Sequence, residues 1–194
     1  MEAQESAEIV ESIHETPDPS KTRAALLVSI LAMVLAITSM GGSNAAKDAT
    51  HNNILAANAY AFYQAKNIRQ THYKIALDQL EIALAKDEKL PATARELMQK
   101  KADDYRKNIQ RYESEPETRE GKKELLASAK DLELQRDLAL RRDPWFDYAE
   151  GFLQIGIVLA SVAIVTATPA LLLGALGLGV LGTLSAVNGF LLLV

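Results

Sequence analysis

The side chains best placed for specific chemistry lie in one short run, Tyr63-Gln64-Ala65-Lys66-Asn67-Ile68-Arg69-Gln70. On a helix Tyr63, Lys66 and Gln70 share one face, because residues three and four apart are neighbours there. Lys66 and Arg69 are then able to grip an anionic group or the acidic side of a partner helix, with Tyr63, Gln64 and Gln70 adding neutral hydrogen-bonding groups. The chemistry this permits is recognition. The same residues also suit a plainer role, fixing the register of a helix inside its own bundle, and that reading is favoured over the first.

No catalytic apparatus accompanies them. The chain has no Walker loop, no dinucleotide fingerprint, no His-Glu-x-x-His and no cluster of metal ligands. His14, His51 and His72 are scattered, and no nucleophile stands in a recognisable elbow. His14 reads as a solvated residue and His72 as an interfacial one, with no carboxylate or second His on its turn to complete a metal site. The expectation is a protein that is not an enzyme and has no catalytic residue, cofactor, metal or small-molecule substrate. With Cys 0, disulfides and thiolate sites are excluded. The net charge of −4 comes without a basic domain, which leaves nucleic-acid binding unsupported.

The elements that position this run are set by the apolar blocks on either side of it. From Tyr148 to Val194 there is no charge after Glu150, and the apolar run is interrupted once, at Thr168-Pro169. That length suffices for two bilayer crossings of roughly 17–25 residues each. In the first crossing Gly156, Ala160, Ala163 and Ala167 fall at spacings of four and three, and in the second Ala175, Gly179, Gly182 and Ala186, continued by Gly189, do the same. Lipid gives apolar side chains no gain from meeting one another, so membrane helices associate where small residues let backbones approach. These stripes are expected to be packing faces, and Asn188 beside the second an interhelical hydrogen-bonding group.

A third apolar block, Ala24–Met40, follows Lys21 and Arg23 and carries its own stripe of Ala25, Ser29, Ala32 and Ala36, extended by Ser39. A cleaved signal peptide would share the basic flank and the small residues after the core. The run is longer than a usual signal core and is preceded by a long acidic tail, so a retained span is expected. The three stripes are expected to pack against one another or against copies of themselves.

Between the first and second blocks the chain is densely charged and helical in pattern. Asn44–Lys86 has no Pro or Gly; Ala61, Ala65, Ile68, Ile75 and Ile82 mark one face, and Tyr73, Leu77, Leu80 and Leu84 a second. Pro91 turns the chain. Ala92–Glu115 returns with Ala94, Met98, Tyr105, Ile109 and Tyr112 on its face; Pro116 and Gly121 interrupt it, and Lys122–Asp143 resumes with Leu125, Ala129, Leu132 and Ala139. At 1.5 Å per residue the outgoing helix is about 64 Å long and the returning pieces about 69 Å together, so the two paths match. Trp145 and Tyr148 then mark a membrane interface, where rings with one apolar and one polar end are favoured.

The expected fold is all-α: three transmembrane helices, with a long antiparallel helical hairpin, a coiled-coil-like stalk, inserted between the first and second. Its divisions are an acidic tail (1–23), transmembrane helix 1 (24–42), an extramembrane arm (43–147), transmembrane helix 2 (148–168) and transmembrane helix 3 (169–194). The acidic start with one early span, the stretch from Tyr60 to Gln70, and Phe152-Leu153-Gln154-Ile155-Gly156-Ile157-Val158-Leu159-Ala160-Ser161 with the segment after it together resemble the DUF4337 domain proteins, a bacterial family. The resemblance covers nearly the whole chain and implies a three-span protein without implying an activity. The expected location is therefore the bacterial cytoplasmic (inner) membrane. Lys21 and Arg23 hold the N-terminus inside, against the opposite pull of Arg136, Arg141 and Arg142; the first span usually dominates, which puts the arm outside. The function expected is that of a membrane-anchored structural or interaction protein whose partners are the lipid bilayer and further copies of itself. The alternatives are an oligomeric pore lined by Thr183, Ser185 and Asn188, and an accessory subunit of a larger membrane complex.

Overall fold

The computed structural model describes residues 19–86 and 90–193, with side chains from residue 21 onward. Residues 1–18 of the acidic tail, with His14, and the turn residues Asp87, Glu88 and Lys89 lie outside the described residues. Those described form four helices and no strand: α1 (Pro19–Lys86), α2 (Ala92–Glu113), α3 (Lys122–Thr166) and α4 (Pro169–Leu191). Three of them, α1, α3 and α4, are long and apolar enough to cross a membrane.

The helix ends follow local chemistry. Pro19 opens α1 and Pro169 opens α4, where a missing N–H costs nothing because the first turn has no intrahelical acceptor for it. Pro91 precedes α2, and its carbonyl accepts the Arg95 N–H at 3.0 Å. Beyond Glu113, Ser114 is extended and its N–H donates to Gln110 O at 3.1 Å. Glycine and proline inside two of the helices do not end them. Gly41-Gly42 does not end α1, although each glycine costs a helix about 1 kcal/mol relative to Ala, because the space it leaves is filled by the ring of Phe146. Pro144 does not end α3: it forfeits the bond to Leu140 O, while Ala139, Phe146 and Ala149 on the same helix are buried and hold it in place on either side.

The chain divides into two compact units, Met1–Lys47 with Ala139–Val194, and Asp48–Leu138. In the first unit large side chains seat on glycines. A Cβ built on Gly179 would lie 2.5 Å from Leu31 Cδ2, and one on Gly156 3.3 Å from Leu31 Cδ1, so Leu31 fills a socket shared by α3 and α4. Phe146 does the same between Gly41 and Gly189, where added Cβ atoms would come within 2.6 and 2.9 Å of its Cε1. Its ring also meets Phe190 edge-on at 4.9 Å. Leu153 closes on Gly182. These contacts gain dispersion between closely approached backbones and side chains.

Gly156, Ala160 and Ala163 are buried, with Ala167 exposed at the end of the row, and Ala175, Gly179, Gly182, Ala186 and Gly189 are all buried. The α1 stripe behaves differently. Ala25, Ser29, Ala32 and Ala36 are all exposed, and α1 packs instead through Ala24, Leu31, Thr38 and Ala45, which recur every seven residues. The reason is volume. Two glycine-bearing faces already meeting each other leave recesses, and a third small face would leave them empty, whereas Leu31 fills them.

In the second unit α1 continues the period of seven. Ala49, Ala56, Tyr63, Gln70, Leu77 and Leu84 are buried or half-buried, as are Asn52, Ala59, Lys66, Tyr73 and Leu80. Tyr73, Leu77, Leu80 and Leu84 are thus the inward face. The other expected face, Ala61, Ala65, Ile68, Ile75 and Ile82, is exposed throughout. Both rows have helical periodicity, so pattern alone does not choose between them; the aromatic and hydrogen-bonding partners on α2 and α3 do.

Candidate interaction face

The run from Tyr63 to Gln70 splits across two sides of α1. Gln70 is 2 % exposed. Its amide nitrogen donates to Ile109 O at 2.9 Å and to Glu113 Oε2 at 3.0 Å, and its oxygen accepts from Lys122 Nζ at 2.8 Å. One carboxamide therefore ties α1 to both α2 and α3. Lys122 also reaches Glu113 at 3.4 Å and lies over the Tyr63 ring, 5.7 Å from its centroid. Lys66 pairs with Glu120 at 3.3 Å and stands 5.4 Å from the centre of the Tyr112 ring. Tyr112 continues the node into the aromatic contacts of Tyr73, whose ring lies 5.8 Å from Tyr112 and 5.4 Å from Tyr105.

Tyr63, Lys66 and Gln70 thus meet groups of their own chain. The sequence pattern placed them on one helix face and Tyr112 on the face of the returning helix; it carried no signal for Glu113 and Lys122, which reach the node through tertiary contact. Gln64 and Arg69 are exposed. Arg69 borders two clefts, one of about 440 Å³ with His72, Tyr73, Ala76, Tyr105 and Tyr112, the other of about 400 Å³ with Phe62, Ala65, Lys66, Glu120 and Leu125. Both are open to the surface. Further along the same helices Tyr60 donates to Glu133 Oε2 at 3.0 Å, Arg136 to Asn53 Oδ1 at 3.3 Å, and Arg106 to Glu81 Oε1 at 2.6 Å.

The connection from α2 to α3 is locked by Glu124. Its carboxylate accepts the Ser114 hydroxyl at 2.6 Å and the Glu115 N–H at 3.1 Å. Arg119 in this turn has φ 59°, and Gly121 is packed so closely that a Cβ would strike the Glu124 carboxylate and the Glu115 nitrogen. The Ser114 hydrogen bond holds the Glu124 carboxyl below its usual range, against the upward push of desolvation. Glu113 is likewise lowered, first by the Gln70 amide and then by Lys122, again against desolvation. A carboxyl lowered in the folded state contributes stability that is present above its unfolded value of about 4.3 and is lost as pH falls through the folded value. The thermal midpoint of the protein in detergent should therefore drop as pH is taken from about 5 to about 3, and Glu124→Gln should flatten that fall. An identical acid profile for the variant would show that Glu124 is not part of the effect.

Trp145 and Tyr148 lie on α3 with their rings edge to face at 6.3 Å, Trp145 half-buried and Tyr148 exposed. The polar groups near the apolar segments bond within their own helices: Thr38 Oγ1 donates to Val34 O at 2.8 Å and Thr183 Oγ1 to Gly179 O at 2.7 Å. Asn188 Oδ1 accepts the Leu193 N–H at 2.8 Å where α4 ends, with Leu192 in the left-handed region at φ 47°. That is a helix-end cap.

These features define an all-helical protein with three helices able to cross a membrane and a charged helical unit between the first and second. The sequence profile of DUF4337, a domain of unknown function, matches residues 20–192, and the chain belongs to that family. No curated protein matches it, and no solved structure does either.

Proposed function

We propose that this is a membrane-anchored interaction protein whose copies associate through the α1 face bearing Ala25, Ser29, Ala32 and Ala36. In this reading α1, α3 and α4 cross the bilayer and Asp48–Leu138 is an antiparallel helical arm. The contact pairs support that sense: Asn53 with Arg136 and Tyr60 with Glu133 on one side, Gln70 with Ile109 and Glu81 with Arg106 on the other, the second number falling as the first rises. The observation that carries the reading is the fate of the three stripes. Those of α3 and α4, apart from Ala167, are covered within the chain, while Ala25, Ser29, Ala32 and Ala36 of α1 are all exposed. Facing lipid, it is a strip where another backbone can approach closely, the condition under which membrane helices pair.

The protein in mild detergent should run as a discrete oligomer by mass photometry or light scattering. Ala32→Leu should shift it toward the monomer by roughly tenfold in association constant, since bulk in a close helix contact forces the backbones apart at a cost of about 1–3 kcal/mol. Leu173→Ala, at a position 69 % exposed on α4, should leave the mass unchanged. A wild-type protein that is monomeric at every concentration would remove the proposal.

A further inference from the structure

We infer that the arm carries its own pairing surface for a second copy of this chain: the row Ile54, Ala61, Ile68, Ile75 and Ile82 on α1, meeting the same row of a parallel neighbour in register. The inference rests on the self-association reading and adds the residues that make the contact outside the spans. Ile54, Ile68, Ile75 and Ile82 are 53 %, 56 %, 51 % and 54 % exposed among the described residues. Their spacing is a strict seven. On a straight helix such a row would drift by about 20° per heptad, yet it stays outward from Ile54 to Ile82, on the side opposite the inward row of Ala56, Tyr63, Gln70, Leu77 and Leu84.

An apolar row with a period of seven supplies one of the two contact positions of a helix pair, the file of Thr50, Ala57, Gln64, Thr71 and Asp78 standing at the other, and an extended peptide or a lipid chain imposes no such period. The occupant is a second copy because α1 enters the bilayer with the same polarity in every molecule. Neighbouring arms therefore run parallel, and residue 68 faces residue 68. Thr50, Ala57 and Thr71, all exposed beside the row, are small enough to let two helices approach. In a parallel pair the residue just before one row position lies opposite the residue five further on in the partner, which sets Glu81, itself paired with Arg106 of its own chain, against Lys86, a complementary couple. Asp78, the one acidic residue in the file beside the row, has Lys74 four residues before it on the same helix.

Because the chain has Cys 0, single cysteines report contact without background. Each position from Gln64 to Ile82 is replaced by Cys in the full chain, and membranes carrying the protein are oxidised and run without reductant. A disulfide forms where Cα atoms come within about 7 Å, so dimer yield should peak at residues 68, 75 and 82, at about ten times the yield of Leu97→Cys and Leu134→Cys, exposed apolar positions on α2 and α3. Adding Ile68→Asp and Ile75→Asp should cut the dimer yield of Ile82→Cys about tenfold while helix content by circular dichroism is unchanged. Flat yields, peaks on another face, or an Ile82→Cys yield indifferent to the two aspartates would overturn the inference. Ala32→Cys in the same membranes separates the two readings: a strong crosslink there with none at 68, 75 and 82 leaves association through the span standing and removes the arm row, whereas no crosslink at either removes both.

Discussion

Gly182→Leu is expected to abolish the folded three-helix unit, and Gly177→Leu, five residues earlier on the same helix, is expected to be silent. A Cβ on Gly182 would lie 2.7 Å from Leu153 Cγ and 3.1 Å from the backbone oxygen of Ala149. Leu153 is fully buried and the contact is near the base of its side chain, so it has little room to turn away; Ala149 O belongs to α3 itself and moves only if that helix moves. Forcing one methyl group into such a site costs about 1–3 kcal/mol, and a leucine more, against a folded state stable by about 5–15 kcal/mol. A Cβ on Gly177 would meet nothing within 4 Å. The two substitutions add the same atoms to the same helix, so their difference isolates packing from hydrophobicity and helix propensity. Size-exclusion chromatography after a temperature series measures it: the Gly182 variant should lose its peak at temperatures the Gly177 variant survives. Equal melting would mean that α3 and α4 do not approach as described.

Gln70→Ala should destabilise Asp48–Leu138 by about 3 kcal/mol, because it removes two hydrogen bonds with charged partners and one with a backbone carbonyl from a buried position. The loss is larger than a count of bonds suggests. Lys122 keeps its 3.4 Å contact to Glu113 and its place over the Tyr63 ring, and its side chain is 12 % exposed, so little water reaches the vacated donor. Gln64→Ala and Arg69→Ala, on the exposed side of the same run, should each stay within about 0.5 kcal/mol of the parent. Urea unfolding followed by circular dichroism at the arm transition discriminates these. A Gln70 variant as stable as the Gln64 variant would show that the node does not set the register of α1 against its neighbours.

The contrast within this eight-residue run shows how far the sequence could be read. Spacing put Tyr63, Lys66 and Gln70 on one face, and that face is the inward one. It also offered an anion or a partner helix as the object of Lys66, and the structure supplies Glu120 and the Tyr112 ring from the same chain. Residues 39 to 59 positions apart in sequence make these contacts, so no local pattern contains them. Glu124 was similarly invisible, since its role depends on Ser114 and Glu115 folding back across Gly121.

By itself the amino-acid order determined the helical class, the three apolar blocks, the turn at Pro91 and the break between Glu113 and Lys122, because each follows from side-chain chemistry acting within a few residues. It also marked out Gly156, Gly179 and Gly182 as contact points, since the absence of a side chain is a local fact with the same meaning in any partner's presence. Tertiary structure alone decided which of two equally periodic faces of α1 turns inward. In the apolar unit the choice fell on Leu31 and its companions because the glycine faces of α3 and α4 left sockets that small residues would not fill. In the charged unit it fell on the row containing Tyr63 and Gln70 because Tyr112, Glu113 and Lys122 stand opposite. Filling volume and satisfying buried polar groups are properties of two surfaces together, and a single helix carries only one of them.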